Sequence, residues 1–263
     1  MLLVRSPLTR LWTRSLSCCS VIGHGANQRR PDRRKGDPVT ADAAVGPAVD
    51  SRPAPRPGRV VLDGRDVSLE PLDPPRHGDS LFETTARPEH GLLWAYMFDG
   101  PFADRAAFDR ALAQLALSED PLYSAIVDRA SGTAVGRAAL MRIDPAHRVI
   151  EVGSIVYSPR LQRTRGATEA MYLLARYVFE ELGYRRYEWK CHALNERSRS
   201  AALRLGFTFE GIFRQHLIIK GRSRDTAWFS MLDSEWPDRK ARFERWLAPD
   251  NFDREGRQLA PLS

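Results

Sequence analysis

The chain has 263 residues and a formal net charge of +7, with 43% hydrophobic and 28% charged residues. This length and hydrophobic content suffice for one or two domains with a sizeable core. Three cysteines exclude a disulfide scaffold, and their spacing with the six histidines fits no common metal site. No stretch approaches the roughly 20 apolar residues of a transmembrane helix. We therefore expect a soluble protein with no metal and no membrane partner.

The positive charge is concentrated at the start of the chain. Residues 1–59 carry ten arginines and one lysine against four aspartates, so they hold the whole surplus. A nucleic-acid-binding face needs a surplus of cations on the folded surface, and residues 60–263 have no such surplus. Nucleic acid is therefore not expected as a partner. Residues 28–58 are rich in Pro, Ala, Asp and Arg and contain no aromatic residue. We expect residues 1–58 to form a disordered leader and linker.

The beginning of the chain bears on localisation. Residues 1–31 contain five arginines and no acidic residue, which is typical of a mitochondrial transit peptide. An upstream extension of a bacterial gene would give the same composition, because the chain prefers Arg to Lys throughout. We expect a cytoplasmic bacterial protein, or a mitochondrial one if the leader is a true transit peptide.

Regular patterning begins near residue 60, where two short β-rich stretches flank an Asp-Gly turn. A largely helical stretch follows at 77–117, interrupted by Pro88, Gly91 and the Gly100-Pro101 step. The hydrophobic period then changes to two, which predicts three successive strands. These strands are expected at 123–127, 134–143 and Val149–Tyr157.

The second half of the chain alternates less regularly. The clearest helix signal covers 167–182, where apolar residues recur at helical spacing up to Gly183. The later elements are expected as strands at 186–191, Thr208–Ile219 and 224–232 and helices at 195–205 and 235–247. This order predicts an α+β fold with a mixed, mostly antiparallel sheet and helices on both faces. We place the folded domain at 59–248 and a C-terminal tail at 249–263.

Residues 151–170 carry the clearest chemical signal. A strand halted by Pro159 leads through a basic loop into a helix start. Backbone N–H groups at a helix N-terminus attract anions, Gly166 permits close approach of a phosphate, and Arg163 and Arg165 add positive charge. The absence of lysine and the glycine spacing exclude a Walker loop and a GxGxxG motif. The pattern indicates a phosphate-binding loop, with a solvated basic turn as the alternative.

The order strand, Arg163-x-x-Gly166-x-Thr168, helix, strand, Asn195 resembles the acyl-CoA site of the GNAT superfamily of N-acetyltransferases. The likeness is closest to the branch related to ribosomal-protein N-terminal acetyltransferases, through Thr168-Glu169-Ala170. Further matches to that branch are Asn195-x-x-Ser198, Gly206-Phe207 and Glu210-Gly211. The resemblance covers about 67–232 and departs from the usual loop at Thr168, where Gly or Ala is common.

This resemblance implies the GNAT fold and acetyl-CoA as co-substrate. The cofactor is expected in a split between the strand Val149–Tyr157 and the parallel strand that follows it, with a backbone N–H near Val156 at the thioester carbonyl. Its pyrophosphate is expected on the loop 162–168. The cofactor-binding residues implied are Ile155, Val156, Tyr157, Gln162, Arg163, Thr164, Arg165, Gly166, Ala167, Thr168 and Asn195.

Acetylation of an amine requires a general base, because aliphatic amines are mostly protonated at neutral pH. Glu151 is the only carboxylate in its strand, and a period of two places it on the side of Ile155. Burial there would raise its pKa towards a useful range. The alternatives are a surface ion pair of Glu151 with Arg148 or Arg142, and His192 or a water chain as the base.

For the departing thiolate, the resemblance points to Ser198, with Asn195 holding the pantetheine arm. Asn195 is also a good helix N-cap, and Ser198 is then an ordinary first-turn residue. Cys191 is not expected to act as a nucleophile, because transfer in the family is direct and no Cys/His pairing occurs at a recognisable spacing.

The sequence gives weaker signals for the residues that bind the acceptor amine. An aromatic cluster and a basic strip either line a pocket or serve as core and solvated face. The cluster comprises Trp94, Tyr96, Met97 and Phe98, and the strip comprises Arg214, His216, Lys220, Arg222 and Arg224.

Three functions fit these observations. The favoured one is an acetyl-CoA-dependent N-acetyltransferase acting on a primary amine, either a small molecule or a protein N-terminus, as a monomer or homodimer. The alternatives are a non-catalytic acyl-CoA-binding module and an RNA-associated or ribosome-associated protein that uses its basic leader.

Overall fold

The computed structural model describes residues 46–262, which contain an eight-stranded mixed sheet. Its strands are β1 (Leu62–Asp63), β2 (Val67–Pro71), β3 (Leu122–Asp128), β4 (Thr133–Asp144), β5 (Val149–Tyr157), β6 (Arg186–His192), β7 (Thr208–Ile219) and β8 (Arg222–Leu232). They lie in the order β1-β2-β3-β4-β5-β6-β8-β7, and only the β5–β6 pair is parallel. The predicted α+β fold with a mixed, mostly antiparallel sheet is therefore confirmed.

The described residues form five α-helices, most of them separated in sequence by strands. They are α1 (Pro74–Leu81, continued by a π-helical turn at Phe82–Ala86), α2 (Arg105–Leu117), α3 (Arg165–Arg176, continued by a π-helical turn at Tyr177–Glu181), α4 (Glu196–Arg204) and α5 (Trp236–Leu247), with 3₁₀ segments at Pro88–Trp94 and Pro249–Asn251. The interruptions predicted at Pro88 and at the Gly100-Pro101 step are present, because Arg87 and Asp104 are extended and Gly100 has a positive φ. Gly91 instead lies inside the 3₁₀ segment. Within residues 46–262, no helix is long and apolar enough to cross a bilayer.

Two hydrophobic clusters occupy the two faces of the sheet. The larger includes Leu173 of α3, Phe243 of α5 and Ile150 of β5. The smaller includes Leu81 of α1 and Leu112 of α2, packed against residues of β3 and β4. The prediction of helices on both faces is thus confirmed.

A β-bulge interrupts β5 at Ser154. Gly153 lies opposite Ala139 of β4, but Val156 lies opposite Arg137, so two residues of β5 face one of β4. Ser154 has a φ of 51°, in the left-handed region. The extra residue reverses the alternation of side chains along the rest of the strand.

The bulge corrects the predicted direction of Glu151. Ile150 and Val152 belong to the larger cluster, and Ile155 packs against the same cluster. Glu151 lies between Ile150 and Val152 and therefore projects to the opposite face. The prediction that Glu151 and Ile155 share a side is wrong, because strict alternation ends at the bulge.

The sheet opens between its two parallel strands. β5 and β6 pair only from Val149 opposite Arg186 to Val152 opposite Trp189. Beyond this point both strands continue without pairing to each other, β5 to Tyr157 and β6 to His192. The structure therefore contains the split that the resemblance implied.

The chain on either side of the predicted domain also packs on it. Ala54 is buried and its N–H donates to Pro145 O at 3.0 Å, while Gly58 N donates to the Tyr177 hydroxyl at 3.0 Å. The compact unit begins at Val49, so the boundary predicted at 58/59 lies inside it. The rest of the predicted leader, residues 1–45, lies outside the described residues.

The segment predicted as a C-terminal tail folds back onto α5. Trp246 Nε1 donates to Gln258 Oε1 at 2.9 Å, Phe252 packs edge-on against the Trp246 ring, and Leu262 is buried in the larger cluster. This segment contributes to the core because its apolar residues cover the outer end of α5.

Candidate active site

A pocket lies at the opening between β5 and β6, with a volume of about 100 Å³. It has room for several water-sized groups, since one water needs about 10–15 Å³ on this measure. Of the predicted site residues, the pocket is lined by Glu151, Ile155, Asn195 and Ser198. The structure thus brings the two predicted catalytic residues, which are far apart in sequence, into one cavity.

Glu151 is buried and bound by two cations. Its Oε2 accepts from Lys190 Nζ at 2.9 Å and lies 3.0 Å from Arg142 Nε. The alternative of an ion pair with Arg142 is present, between a buried Glu151 and an exposed Arg142. Arg148 instead contacts Asp50. Burial raises the pKa of Glu151, while Lys190 and Arg142 act in the opposite direction. Glu151 is therefore a positioned carboxylate with a raised pKa.

The Glu151 pair belongs to a longer chain of charges. Lys190 also binds Glu188 Oε2 at 2.6 Å, and Arg186 links Glu188 to Glu210. The Lys190 ammonium lies 3.9 Å from the centre of the Trp228 ring, which covers it. These contacts fix the position of Lys190 and, through it, the orientation of the Glu151 carboxylate.

Ser198 is held at the start of α4. Asn195 is the N-cap, and its Oδ1 accepts from Ser198 N at 3.1 Å. Ser198 Oγ accepts from Trp189 Nε1 at 3.0 Å, which leaves the hydroxyl hydrogen to be donated elsewhere. The Asn195 amide NH₂ has no partner among residues 46–262, so the capping role and a role towards a ligand are compatible.

Cys191 and His192 are also at the pocket. Burial raises the pKa of the Cys191 thiol, which keeps it neutral and agrees with its exclusion as a nucleophile. His192 Nδ1 accepts from Leu194 N at 3.1 Å, and burial lowers the pKa of its imidazole with a smaller contribution from Arg224. A neutral imidazole at this position keeps His192 as an alternative base.

The predicted phosphate loop is fixed by internal hydrogen bonds. Thr164 caps α3 by accepting from Ala167 N at 3.1 Å, and Gln162 Nε2 donates to Tyr157 O at 2.9 Å. The backbone N–H groups of Arg165 and Gly166 lie in the first turn of α3 and have no partner in the part of the chain that is described. The loop therefore presents free donors at a helix N-terminus, as an anion site requires.

Comparison with known proteins decides the family. Residues 67–208 match the GNAT acetyltransferase domain. The chain belongs to this family. Acetyl-CoA is its co-substrate, as the sequence predicted.

Three similar proteins illustrate the relationship. A GCN5-related N-acetyltransferase from Brucella melitensis is 53% identical, with 80% of this chain and 96% of that one covered and a TM-score of 0.79. A GNAT family acetyltransferase from Chromobacterium violaceum is 42% identical, with 74% and 98% covered and a TM-score of 0.69. YdaF of Bacillus subtilis, which carries the name of a ribosomal N-acetyltransferase, is 31% identical over 41% of this chain. The match spans only 59% of YdaF.

Two loop residues of the acetyltransferase also make contacts within the protein. The Arg165 guanidinium pairs with Asp66 and lies 5.0 Å from the centre of the Phe252 ring, so its charge is already compensated. A Cβ at Gly166 would lie 2.8 Å from Val67 Cγ1. Gly166 therefore allows close packing of α3 against β2.

Sequence reasoning missed the role of Glu169. This buried carboxylate accepts from the backbone N–H groups of Arg65, Asp66 and Val67 at 2.7, 2.7 and 2.9 Å. The neighbouring Thr168 Oγ1 accepts from Arg204 Nη1 at 3.0 Å. The Thr-Glu-Ala segment therefore ties the phosphate loop to the β1–β2 turn and to α4. A glutamate among apolar residues at a helix start was the available signal.

The aromatic cluster divides into core and pocket. Trp94 is buried, and its Nε1 donates to Thr85 O at 2.8 Å, so it serves the core. Tyr96, Met97 and Phe98 line the pocket. The basic strip divides in the same way, since His216 and Arg224 line the pocket while Arg214 and Arg222 are exposed.

Lys220 of the basic strip forms hydrogen bonds to the backbone around the aromatic cluster. From the turn between β7 and β8, its Nζ donates to Trp94 O at 2.9 Å and Asp99 O at 3.0 Å. Arg137 of β4 also binds Asp99, at 2.6 Å. The aromatic wall of the pocket is therefore held at both ends. Within residues 46–262, no three side chains are grouped as a metal site would require.

Proposed function

We propose that this protein transfers the acetyl group of acetyl-CoA directly to a primary amine, on a small molecule or a protein N-terminus. The observation that carries the proposal is the meeting of Glu151 and Ser198 in one pocket at the β5–β6 opening. The likeness to YdaF, by its name a ribosomal N-acetyltransferase, supports a protein N-terminus among the candidate acceptors.

The cofactor fits the opening along its length. The pantetheine arm lies between the unpaired parts of β5 and β6, where residues 153–157 have backbone groups without a partner strand on the β6 side. A backbone N–H at Ile155 or Val156 polarises the thioester carbonyl, and Asn195 binds the arm through its free amide. The pyrophosphate binds the first turn of α3, at the N–H groups of Arg165 and Gly166.

The pocket residues supply the proton transfers. Glu151, directly or through one water, removes a proton from the ammonium group, and the free amine attacks the carbonyl carbon. The tetrahedral intermediate collapses as the C–S bond breaks, and the proton still carried by the attacking nitrogen passes to solvent water, which leaves a neutral amide and the CoA thiolate. Ser198 donates its hydroxyl hydrogen bond to that thiolate, since its oxygen already accepts from Trp189.

A thiol-release assay tests the proposal. Purified full-length protein with acetyl-CoA is presented with small amines and with peptides that have free N-termini, and free CoA and acetylated product are both measured. We expect stoichiometric product with at least one acceptor class. Binding of acetyl-CoA without turnover on any amine would instead favour the non-catalytic acyl-CoA-binding module.

A further inference from the structure

Arg224 of β8 is a buried arginine that projects into the pocket. Only 6% of its surface is exposed, and it lines the cavity. Its Nε donates to Thr226 Oγ1 at 3.1 Å, and its guanidinium carbon lies 5.4 Å from the centre of the Phe98 ring. These two contacts orient the planar guanidinium and leave its two terminal NH₂ groups without a protein carboxylate among residues 46–262.

Other buried or half-buried cations near the pocket are compensated. Arg137 pairs with Asp99, and Lys190 pairs with Glu151 and Glu188. The charged network around the pocket contains four cations and three carboxylates. The cations are Arg142, Arg186, Lys190 and Arg224, and the carboxylates are Glu151, Glu188 and Glu210. The ion pairs use the other three cations, and within residues 46–262 no carboxylate forms an ion pair with Arg224.

Of the described groups that face Arg224, only Glu151 offers a nearby carboxylate charge, and it acts from beyond ion-pair distance because its Oε2 is bound by Lys190 and Arg142. His216 Nδ1 shares the Thr226 hydroxyl at 3.0 Å, and burial together with the nearby Arg142 lowers the pKa of its imidazole. Burial likewise lowers the pKa of the His192 imidazole. Burial also lowers the pKa of Arg224, but an arginine stays protonated at neutral pH. A buried, uncompensated cation is costly unless a ligand supplies the counter-charge.

We propose that Arg224 binds a carboxylate carried by the substrate and so selects for anionic substrates. This inference rests on the proposed transfer reaction. A guanidinium fork matches a carboxylate through two parallel hydrogen bonds. The carboxylate belongs either to the acceptor, as in an amino acid or an acidic peptide N-terminus, or to the acyl chain of a dicarboxylic acyl-CoA. A polyamine acceptor is disfavoured, because its second ammonium group would face Arg224.

Matched substrates test this assignment and show whether the carboxylate belongs to the acceptor or to the acyl chain. One arm compares glutamyl with glutaminyl peptides, or glutamate with glutamine, as acceptors of acetyl-CoA. The other compares succinyl-CoA with acetyl-CoA on a neutral amine. We expect a preference of about 10- to 100-fold in kcat/KM for the carboxylate member of one arm. That preference should disappear in Arg224→Gln, chiefly through KM, and recover in part in Arg224→Lys. The control is Arg222→Gln, an exposed position on the same strand.

A binding measurement keeps the result independent of turnover. Calorimetry in the presence of CoA compares N-acetylglutamate with N-acetylglutamine, and we expect tighter binding of the former by wild type but not by Arg224→Gln. This difference without turnover on any amine would contradict the transfer reaction and leave the carboxylate site standing. The carboxylate site would be overturned if wild type showed the same kcat/KM and the same affinity for the carboxylate and the neutral member of every substrate pair. It would also be overturned if a folded Arg224→Gln lost kcat/KM equally for both members.

Discussion

Glu151 gives the sharpest residue-level test of the transfer chemistry. Glu151→Gln should retain its affinity for acetyl-CoA, because no phosphate contact changes, but lose about 100- to 10,000-fold in transfer rate. Steady-state kinetics and calorimetry measure the two quantities. The matched control is Glu188→Gln, which also loses a buried carboxylate beside Lys190 but does not line the pocket. A control variant as slow as Glu151→Gln would mean that both act only by supporting Lys190.

The pH dependence distinguishes a base from a structural carboxylate. Because burial raises the pKa of Glu151 and the base works only when ionised, wild-type activity should fall with decreasing pH above the range of an ordinary carboxyl group. The ratio of the Glu151→Gln rate to the wild-type rate should rise towards the pKa of the amine, above which the amine is already free. A ratio that is independent of pH would transfer the role to His192 or to bulk water.

Gly166 is a packing position, which changes how the phosphate loop can be tested. Gly166→Ala places a Cβ 2.8 Å from Val67 Cγ1, so we expect a loss of about 1–3 kcal/mol in the free energy of unfolding. Adding Gly166→Ala to Val67→Ala should cost less than adding it to wild type. Urea denaturation of the two single variants and the double variant measures this coupling. If the two losses in the free energy of unfolding add exactly in the double variant, the clash with Val67 is relieved by movement of other groups. Gly166→Asp would introduce the same close approach to Val67 Cγ1, so a loss of CoA binding in that variant could result from disturbed packing as well as from repulsion of the phosphate.

At the scale of elements, Glu169 joins α3 to the β1–β2 turn. Glu169→Ala removes the acceptor for three backbone N–H groups, so it should lower the free energy of unfolding by about 3 kcal/mol or more. Denaturation with urea measures the loss. Glu181→Ala, at an exposed position of the π-helical turn after α3, should change it by less than about 0.5 kcal/mol. Similar values for the two variants would contradict the importance of this connection.

Local patterns in the sequence predicted the elements better than the contacts between them. The bounds of β5 and β7 agree with prediction, because a turn signal follows each strand, Pro159 after β5 and Lys220-Gly221 after β7. The bulge at Ser154 was not predictable, since it is a mismatch in length between two strands rather than a local pattern. The packing contacts of Arg165 and Gly166 could not be predicted either, because their partners, Asp66 and Val67, lie about a hundred residues away in the sequence.

At the scale of the whole molecule, the beginning of the compact unit can be tested by truncation. A chain that starts at Val49 should melt at the same temperature as the full chain. A chain that starts at Arg59 loses the contacts of Ala54 and Gly58, so its melting temperature should fall by about 2–8 °C. Calorimetry of both truncated chains measures the difference. Equal melting temperatures would show that residues 49–58 only rest on the surface.

The separation of β5 from β6 gives the sheet two inner edges, with unpaired amide and carbonyl groups facing each other across a gap. Such edges exchange their amide hydrogens with solvent more readily than paired strands do. A pantetheine arm bearing its own amides would complete the ladder as if it were a short extra strand. Hydrogen exchange followed by mass spectrometry should then show slower exchange over residues 153–157 when acetyl-CoA is added, with no change in the β2–β3 pair. Uniform slowing over both regions would indicate general stabilisation rather than occupancy of the gap.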